Sequence, residues 1–448
     1  MDFNGFKEAV IAKAQAMGIT EYELYYSTSE STSISAFQHE LNQFTSSNDG
    51  GVCFRCIVDG KMGYASTEEL SAAQAAAIVT RAADNAAALE AEEPVFLGEG
   101  GQVYEALELK PYELPTTAEV ISKVLSTQEQ LYAADKAIVD GCSTQGIMER
   151  SEIAIYNSKG LDLHYSNNLS GMVAVAVVSN GQEMANDFQL KLGKLSDIDT
   201  EALTKKAAAT AVRKLGGEAA PTGTYPVVFD PEAMSDLLAT FCSVFSSENA
   251  QKGLSRLGDQ EGKTVAASNV TLVDDPFHPE NPMPIHFDAE GSPTHKKNVI
   301  EKGVLNTLLY NMKTANRAGK STTGNASKAG YDAAVEIRPF TMYLAPGDLT
   351  EEQLLAKAGN GVFINSLGGL HAGANPISGD FSLQSAGFMI ENGQKTTPVK
   401  SFTVAGNFYD LLKNITALSD KVELPSATGM TAFGSPLVLV EGLSIAGK

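Results

Sequence analysis

The 448-residue chain has no tryptophan, four cysteines and no long apolar run. Four thiols in so long a chain are too sparse for a disulfide framework. The longest apolar stretch, "MVAVAVV" at Met172 to Val178, is far shorter than the roughly 20 residues a bilayer-spanning helix needs. Basic residues are also scarce: 33 Lys and Arg face 54 Asp and Glu, a net charge of −21. That balance opposes binding to a phosphate backbone, so neither nucleic acid nor membrane is expected as a direct partner. The start, "MDFNGFKEAVIAKAQAMG", has no basic lead and reads as an amphipathic helix rather than a signal peptide, which implies a cytoplasmic protein.

Ready-made catalytic motifs are missing as well. "AGKSTTG" has Thr314 where a phosphate loop requires glycine, and there is no G-x-S-x-G elbow. None of the six histidines lies in an H-E-x-x-H pattern. Cys53 and Cys56 form a C-x-x-C, but strand-like alternation in "GVCFRCIVDGK" sends residues three apart to opposite faces, against a shared redox or metal site.

What is present is an α+β pattern. Phe3, Phe6, Val10, Ala14 and Met17 share one helical face. Strand-like runs "YELYYSTS", "STSISAFQ" and "GVCFRCIV" follow, with an Asp59-Gly60 hairpin turn and an alanine-rich helix over about Glu68 to Leu89. A second unit repeats the order: a helix at Thr117 to Ala134, strands "SEIAIYNSKG", "LDLHYSNN" and "GMVAVAVVSNG", and a helix at Thr200 to Leu215. The last part opens with "YPVVFD" and a helix that Asp230 caps and Pro231 begins, with Met234, Leu237, Leu238, Phe241 and Phe245 as its core stripe. Short strands and glycine turns then predominate. The expected division is an N-terminal unit over 1–110, a middle unit over 111–222 and a mostly-β domain over 223–448. Helices flank antiparallel meanders in the first half.

Three stretches are candidates for function. In "PIHFDAEGSPTH" a strand would turn His286, Asp288 and Glu290 to one face, with His295 returning from the turn, a set of N and O donors that suits a hard or borderline cation. The alternative is a charged hairpin end with solvated histidines. From Gly291 to Gly330, seven basic residues stand against Glu301 alone, either a surface for an acidic partner or a solvated face. In "NPISGDFS", Asn375, Ser378, Asp380 and Ser382 occupy a polar loop. Such side chains often fix a turn, and they can also face a partner or substrate.

The order of the last motifs, "FDAEGSPTHKKNVIEKGVLNTLLYN", "TANRAGKSTTGNA" and "NPISGDFSLQSAGFMIENGQKTTPVKSFTVAGNFYDLLKNI", resembles the PmbA/TldD family, whose members carry the name modulator of DNA gyrase. The likeness extends to "GVCFRCIVDGKMGYAST" near the amino terminus. It implies a two-subunit zinc protease in which TldD-type members bear an H-E-x-x-x-H motif on the helix after a "VV" strand and PmbA-type, or TldE, members lack it. Here the corresponding positions are about Ala239, Thr240 and Val244, and no histidine occurs between Tyr165 and Phe277. The "ISGDFS" stretch points the same way. The resemblance thus implies a subunit without catalytic residues or cofactor of its own, paired with a zinc-bearing TldD-type chain and acting on peptides or unfolded proteins, with a homodimer as the alternative assembly when alone. Two alternatives remain open: an independent metal-dependent hydrolase built on His286, Asp288, Glu290 and His295, and a noncatalytic protein that binds topoisomerase-related factors.

Overall fold

The computed structural model describes residues 1–90, 93–106, 112–428 and 431–448. Helix α1 (Phe3–Ala16) is capped by Asp2, whose side chain accepts from Gly5 N, and it buries Phe6, Val10 and Ala14 while Met17 stays exposed. Strands β1 (Glu21–Phe37), β2 (Glu40–Val58) and β3 (Lys61–Thr67) lead to α2 (Ala72–Ala88). The middle unit has the same order: α3 (Thr117–Ala133), β4 (Ser143–Asn157), β5 (Asp162–Ser179), β6 (Met184–Leu192) and α4 (Thr200–Arg213). Side chains set the helix starts: Ser71 caps α2, Thr116 and Glu119 form a capping box on α3, and Asp199 caps α4.

The six strands make one sheet in the order β3-β2-β1-β4-β5-β6. Its seam is the antiparallel pairing of β1 with β4, from Glu23 opposite Asn157 to Phe37 opposite Ser143. The repeated units are therefore related across that seam, each with its own helix pair and apolar cluster. Two expectations need correction. The runs on either side of Glu30 are one strand, because β1 is laddered on both edges: Ser29 faces Asp49 on one side and Ser151 on the other. The runs before and after Ser170 likewise join as β5. Polar residues that read as loop are held as strand by backbone pairing, which is blind to side-chain hydropathy.

The hairpin between β2 and β3 turns at Asp59 and Gly60, both with positive φ, as a two-residue type I′ turn requires. Cys56 packs with the helices. Cys53 packs on the opposite face with Ile285, Phe287 and Phe340, so the C-x-x-C is split across the sheet.

In the second half β7 (Gly223–Phe229) runs into α5 (Pro231–Phe241). Strand β7 lies between Gly361–Gly368 and Val438–Ala446; Asp380–Glu391 and Gln394–Asn407 follow, and Gln394–Asn407 pairs back onto Val438–Ala446, closing these five strands into a ring. A second six-stranded sheet, of short strands, has Leu272–Asp274 and Thr341–Leu344 at its centre. Helix α5 touches strands of both sheets. Met234, Leu237, Leu238 and Phe241 are buried in the largest apolar cluster, and Phe241 stacks on Phe408 with ring centroids 4.7 Å apart. The result is an α+β molecule. Among the described residues no helix is long and apolar enough to cross a membrane.

Candidate functional site

Helix α5 is set by its first turn. Asp230 accepts from Ala233 N at 2.8 Å, and Pro231 occupies the first helical position. One face buries Met234, Leu237, Leu238 and Phe241 and anchors the core. The other, half-buried face carries Glu232, Asp236, Ala239 and Thr240. Burial pushes the Asp230 and Asp236 carboxyls up to about 6. Glu232 is pushed up to about 7 by burial, reinforced by Asp230, Asp187 and Asp236. Lys214 partly offsets this, and it is itself paired with Asp187 at 2.8 Å. This acidic face with raised carboxyl pKa values escaped the sequence reading, although the spacing of Asp230, Glu232 and Asp236 over two turns was its signal.

The three positions that the resemblance aligns with a zinc motif do not suit zinc. Ala239 offers a methyl group. The Thr240 hydroxyl donates to Asp236 O at 2.7 Å. The α-helix ends at Phe241 and tightens into a 3₁₀ turn over Cys242–Phe245, which seats Val244 in the core. None of these side chains supplies the imidazole or carboxylate donors that a zinc protease site uses.

The Asp380 loop adjoins the end of the same helix, with the Phe241 and Phe381 rings 6.2 Å apart. Asn375 Oδ1 accepts from Ile377 N at 3.0 Å and Ser378 N at 3.2 Å, and Asn375 N donates to Asp380 O at 2.9 Å. Asn407 Nδ2 donates to Asp380 Oδ1 at 2.8 Å and to Ser378 O at 2.8 Å. The Asn407 amide and the Ser378 hydroxyl hold the Asp380 carboxyl below its ordinary range. Gly379 has φ +80, and a Cβ there would strike the Tyr409 ring at 2.5 Å. Asn375 and Ser378 thus fix the turn, while Asp380 and Ser382 lie on the exposed face of the strand that follows.

The structure does not bring His286, Asp288, Glu290 and His295 together as a metal cluster. The expected strand is a set of turns with a single bridge, Phe287 to Pro293. Asp288 Oδ1 accepts from Glu290 N and Ser292 N, both at 2.9 Å, and Oδ2 accepts from Ala326 N at 3.0 Å. Glu290 Oε2 accepts from Met312 N at 2.8 Å. His286 lies edge-on to Tyr104 and Phe287, and burial lowers the pKa of both it and His295. Among the described residues no group of three or more His, Cys, Asp or Glu converges to hold a metal ion.

The basic stretch is not a free surface either. Lys297 is buried against Asp274 at 3.1 Å, Lys296 meets Asp275 at 2.9 Å, Lys313 and Arg317 converge on Glu93, and Lys320 pairs with Glu261. These cations serve the chain's own acids.

Three family models cover the chain: PmbA/TldA metallopeptidase domain 1 over residues 22–89, the central domain over 110–215 and the C-terminal domain over 222–447. A crystal structure from Thermotoga maritima, named as a candidate modulator of a DNA gyrase, matches with a TM-score of 0.90 at 31% identity, over 99% of this chain and all of that one. TldE from Thermococcus kodakarensis shares the fold, with a TM-score of 0.88 at 23% identity over 99% of this chain and 100% of its own. The metalloprotease PmbA of Escherichia coli O157:H7 is 25% identical over 90% of this chain and 88% of its own. The chain belongs to the PmbA/TldD metallopeptidase family.

Proposed function

We propose that the chain is the PmbA/TldE-type subunit of a cytoplasmic two-subunit zinc metalloprotease that degrades or trims peptides and unfolded proteins, with the zinc carried by a TldD-type partner. The observation that carries this reading is α5. The resemblance matches it to the zinc-motif helix of TldD-type members, and it presents Ala239, a self-bonded Thr240 and a core-bound Val244. A helix with these groups cannot polarise a peptide carbonyl or activate water through zinc. Its acidic half-buried face and the outward Asp380 and Ser382 are instead the surfaces offered to the partner or to an extended substrate. Strand addition along an exposed edge suits the latter, since backbone bonds give affinity with little sequence preference.

The reading is tested by association. This chain and an H-E-x-x-x-H homologue from the same organism, mixed at micromolar concentration, are expected to co-elute as one species that cleaves an unfolded protein. Separate elution at every ratio would contradict the proposal.

A further inference from the structure

A cavity of about 830 Å³ lies between the six-stranded sheet and the loops of the C-terminal half. Glu23, Tyr25 and Arg55 line it from β1 and β2; Glu290, Met312 and Lys328 line it from the opposite side. It shares no residue with α5 or with the Asp380 loop. Its volume lies in the range of ligand sites, roughly 300–1,000 Å³.

Among the described residues the charges lining this cavity are incompletely matched. Arg55 is 7% exposed. Its Nε donates to Glu23 Oε1 at 2.7 Å, Nη2 lies 2.6 Å from the same oxygen, and Nη1 reaches the Met62 sulphur at 4.0 Å, with the Tyr64 hydroxyl also beside the guanidinium. A guanidinium carries five N–H donors, so one oxygen and a thioether leave it with donors to spare. Glu290 is 6% exposed and accepts from Met312 N; the Arg55 charge favours its ionised form, but no Lys or Arg of the described residues is in ion-pair contact. Lys328 donates to Tyr331 O at 2.7 Å and lies 4.3 Å from the centroid of the Tyr25 ring, again with no carboxylate among the described residues in ion-pair contact. Burial pushes Glu290 up and Lys328 down, each toward its neutral form. An unpaired buried charge is costly, and a ligand bearing both opposite charges would relieve both groups at once.

We propose that this cavity binds a small zwitterion with a free ammonium and a free carboxylate, a dipeptide or free amino acid, its ammonium on Glu290 and its carboxylate on Lys328 with help from Arg55. The site stands on the isolated chain and does not depend on the partner reading, so either can fail without the other.

The test is calorimetric titration of the full chain alone, at pH 7.5, with alanyl-alanine, its N-acetyl form, its C-terminal amide, and alanine. Alanyl-alanine is expected to bind, and each blocked form to bind at least about tenfold more weakly. Glu290→Gln should abolish the discrimination against the acetylated form, and Lys328→Met that against the amide, with circular dichroism checking the fold of each. Alanine binding as tightly as the dipeptide would assign the site to free amino acids; weaker binding would assign it to dipeptides. Blocked forms binding as well as free alanyl-alanine, or no heat from any of the four at about 10 mM, an affinity weaker than roughly 3 kcal/mol, would overturn the proposal. Because the unmodified chain alone decides between these outcomes, a variant that fails to fold leaves the test intact.

Discussion

From Phe3 to Arg213 the chain lays four helices on strands of up to 19 residues paired along most of their length, and its apolar side chains gather in separate clusters under each helix pair. From Gly223 onward the largest apolar cluster gathers around α5, and a smaller one lies against the helix Glu351–Ala358. The sheet beside it is built of strands of two to six residues. There the segments between strands are held by single buried carboxylates. Asp274 accepts from Lys297 Nζ at 3.1 Å, Asn325 Nδ2 at 2.8 Å, Phe340 N at 2.8 Å and Thr341 N at 3.2 Å. Asp288 gathers three backbone N–H groups in the same way. Long ladders tolerate sequence change because the backbone makes the bonds, whereas carboxylate-centred loops fail when one side chain is lost.

The largest effect should follow from breaking that second device. Asp274→Ala strands Lys297, Asn325 and two amides in a buried site, and denaturant unfolding is expected to show a loss of about 3–5 kcal/mol. A loss near that of an ordinary surface change would show that the loops are not held this way.

The acidic face of α5 gives a smaller effect that depends on pH. Burial and neighbouring carboxylates raise the Glu232 pKa to about 7, so its neutral form suits the fold. The stability this confers is complete below the usual carboxylate range and is lost as pH rises through about 7. Glu232→Gln should therefore leave stability unchanged near pH 4.5 and raise it by on the order of 1–3 kcal/mol above pH 7. Equal stability of the two proteins at pH 8 would contradict the repulsion. Asp380→Asn should do least to the fold, since the residue is exposed and Asn retains an oxygen for the Asn407 amide. Its melting temperature is expected to shift by less than about 2 °C. Any marked effect should instead appear in association with the proposed TldD-type partner.

Both halves were legible in the sequence wherever one element decides its own conformation. The α1 stripe from Phe6 to Ala14, though not Met17, the Asp230–Pro231 start of α5 and the Asp59-Gly60 turn are local signals that appear as read. The continuity of β1 through Glu30 was not legible, because it depends on two partners remote in sequence. The fates of His286, Asp288, Glu290 and His295 were not legible for a related reason. Asp288 reaches Ala326 and Glu290 reaches Met312, contacts that an alternating pattern cannot contain. The gathering of Arg55, Glu290 and Lys328 around one cavity was hidden likewise. An arginine within the apolar run "GVCFRCIV" was the one visible hint.

The most direct test of the central claim is the metal content of the chain, purified alone without chelator, by mass spectrometry of the native protein. With Ala239, Thr240 and Val244 at the positions the resemblance aligns with a zinc motif, less than about 0.1 zinc per chain is expected, because structural or catalytic zinc is held by free energies on the order of 10 kcal/mol and would survive purification. About one zinc or other transition metal per chain would contradict the account and place an independent metal centre in this subunit.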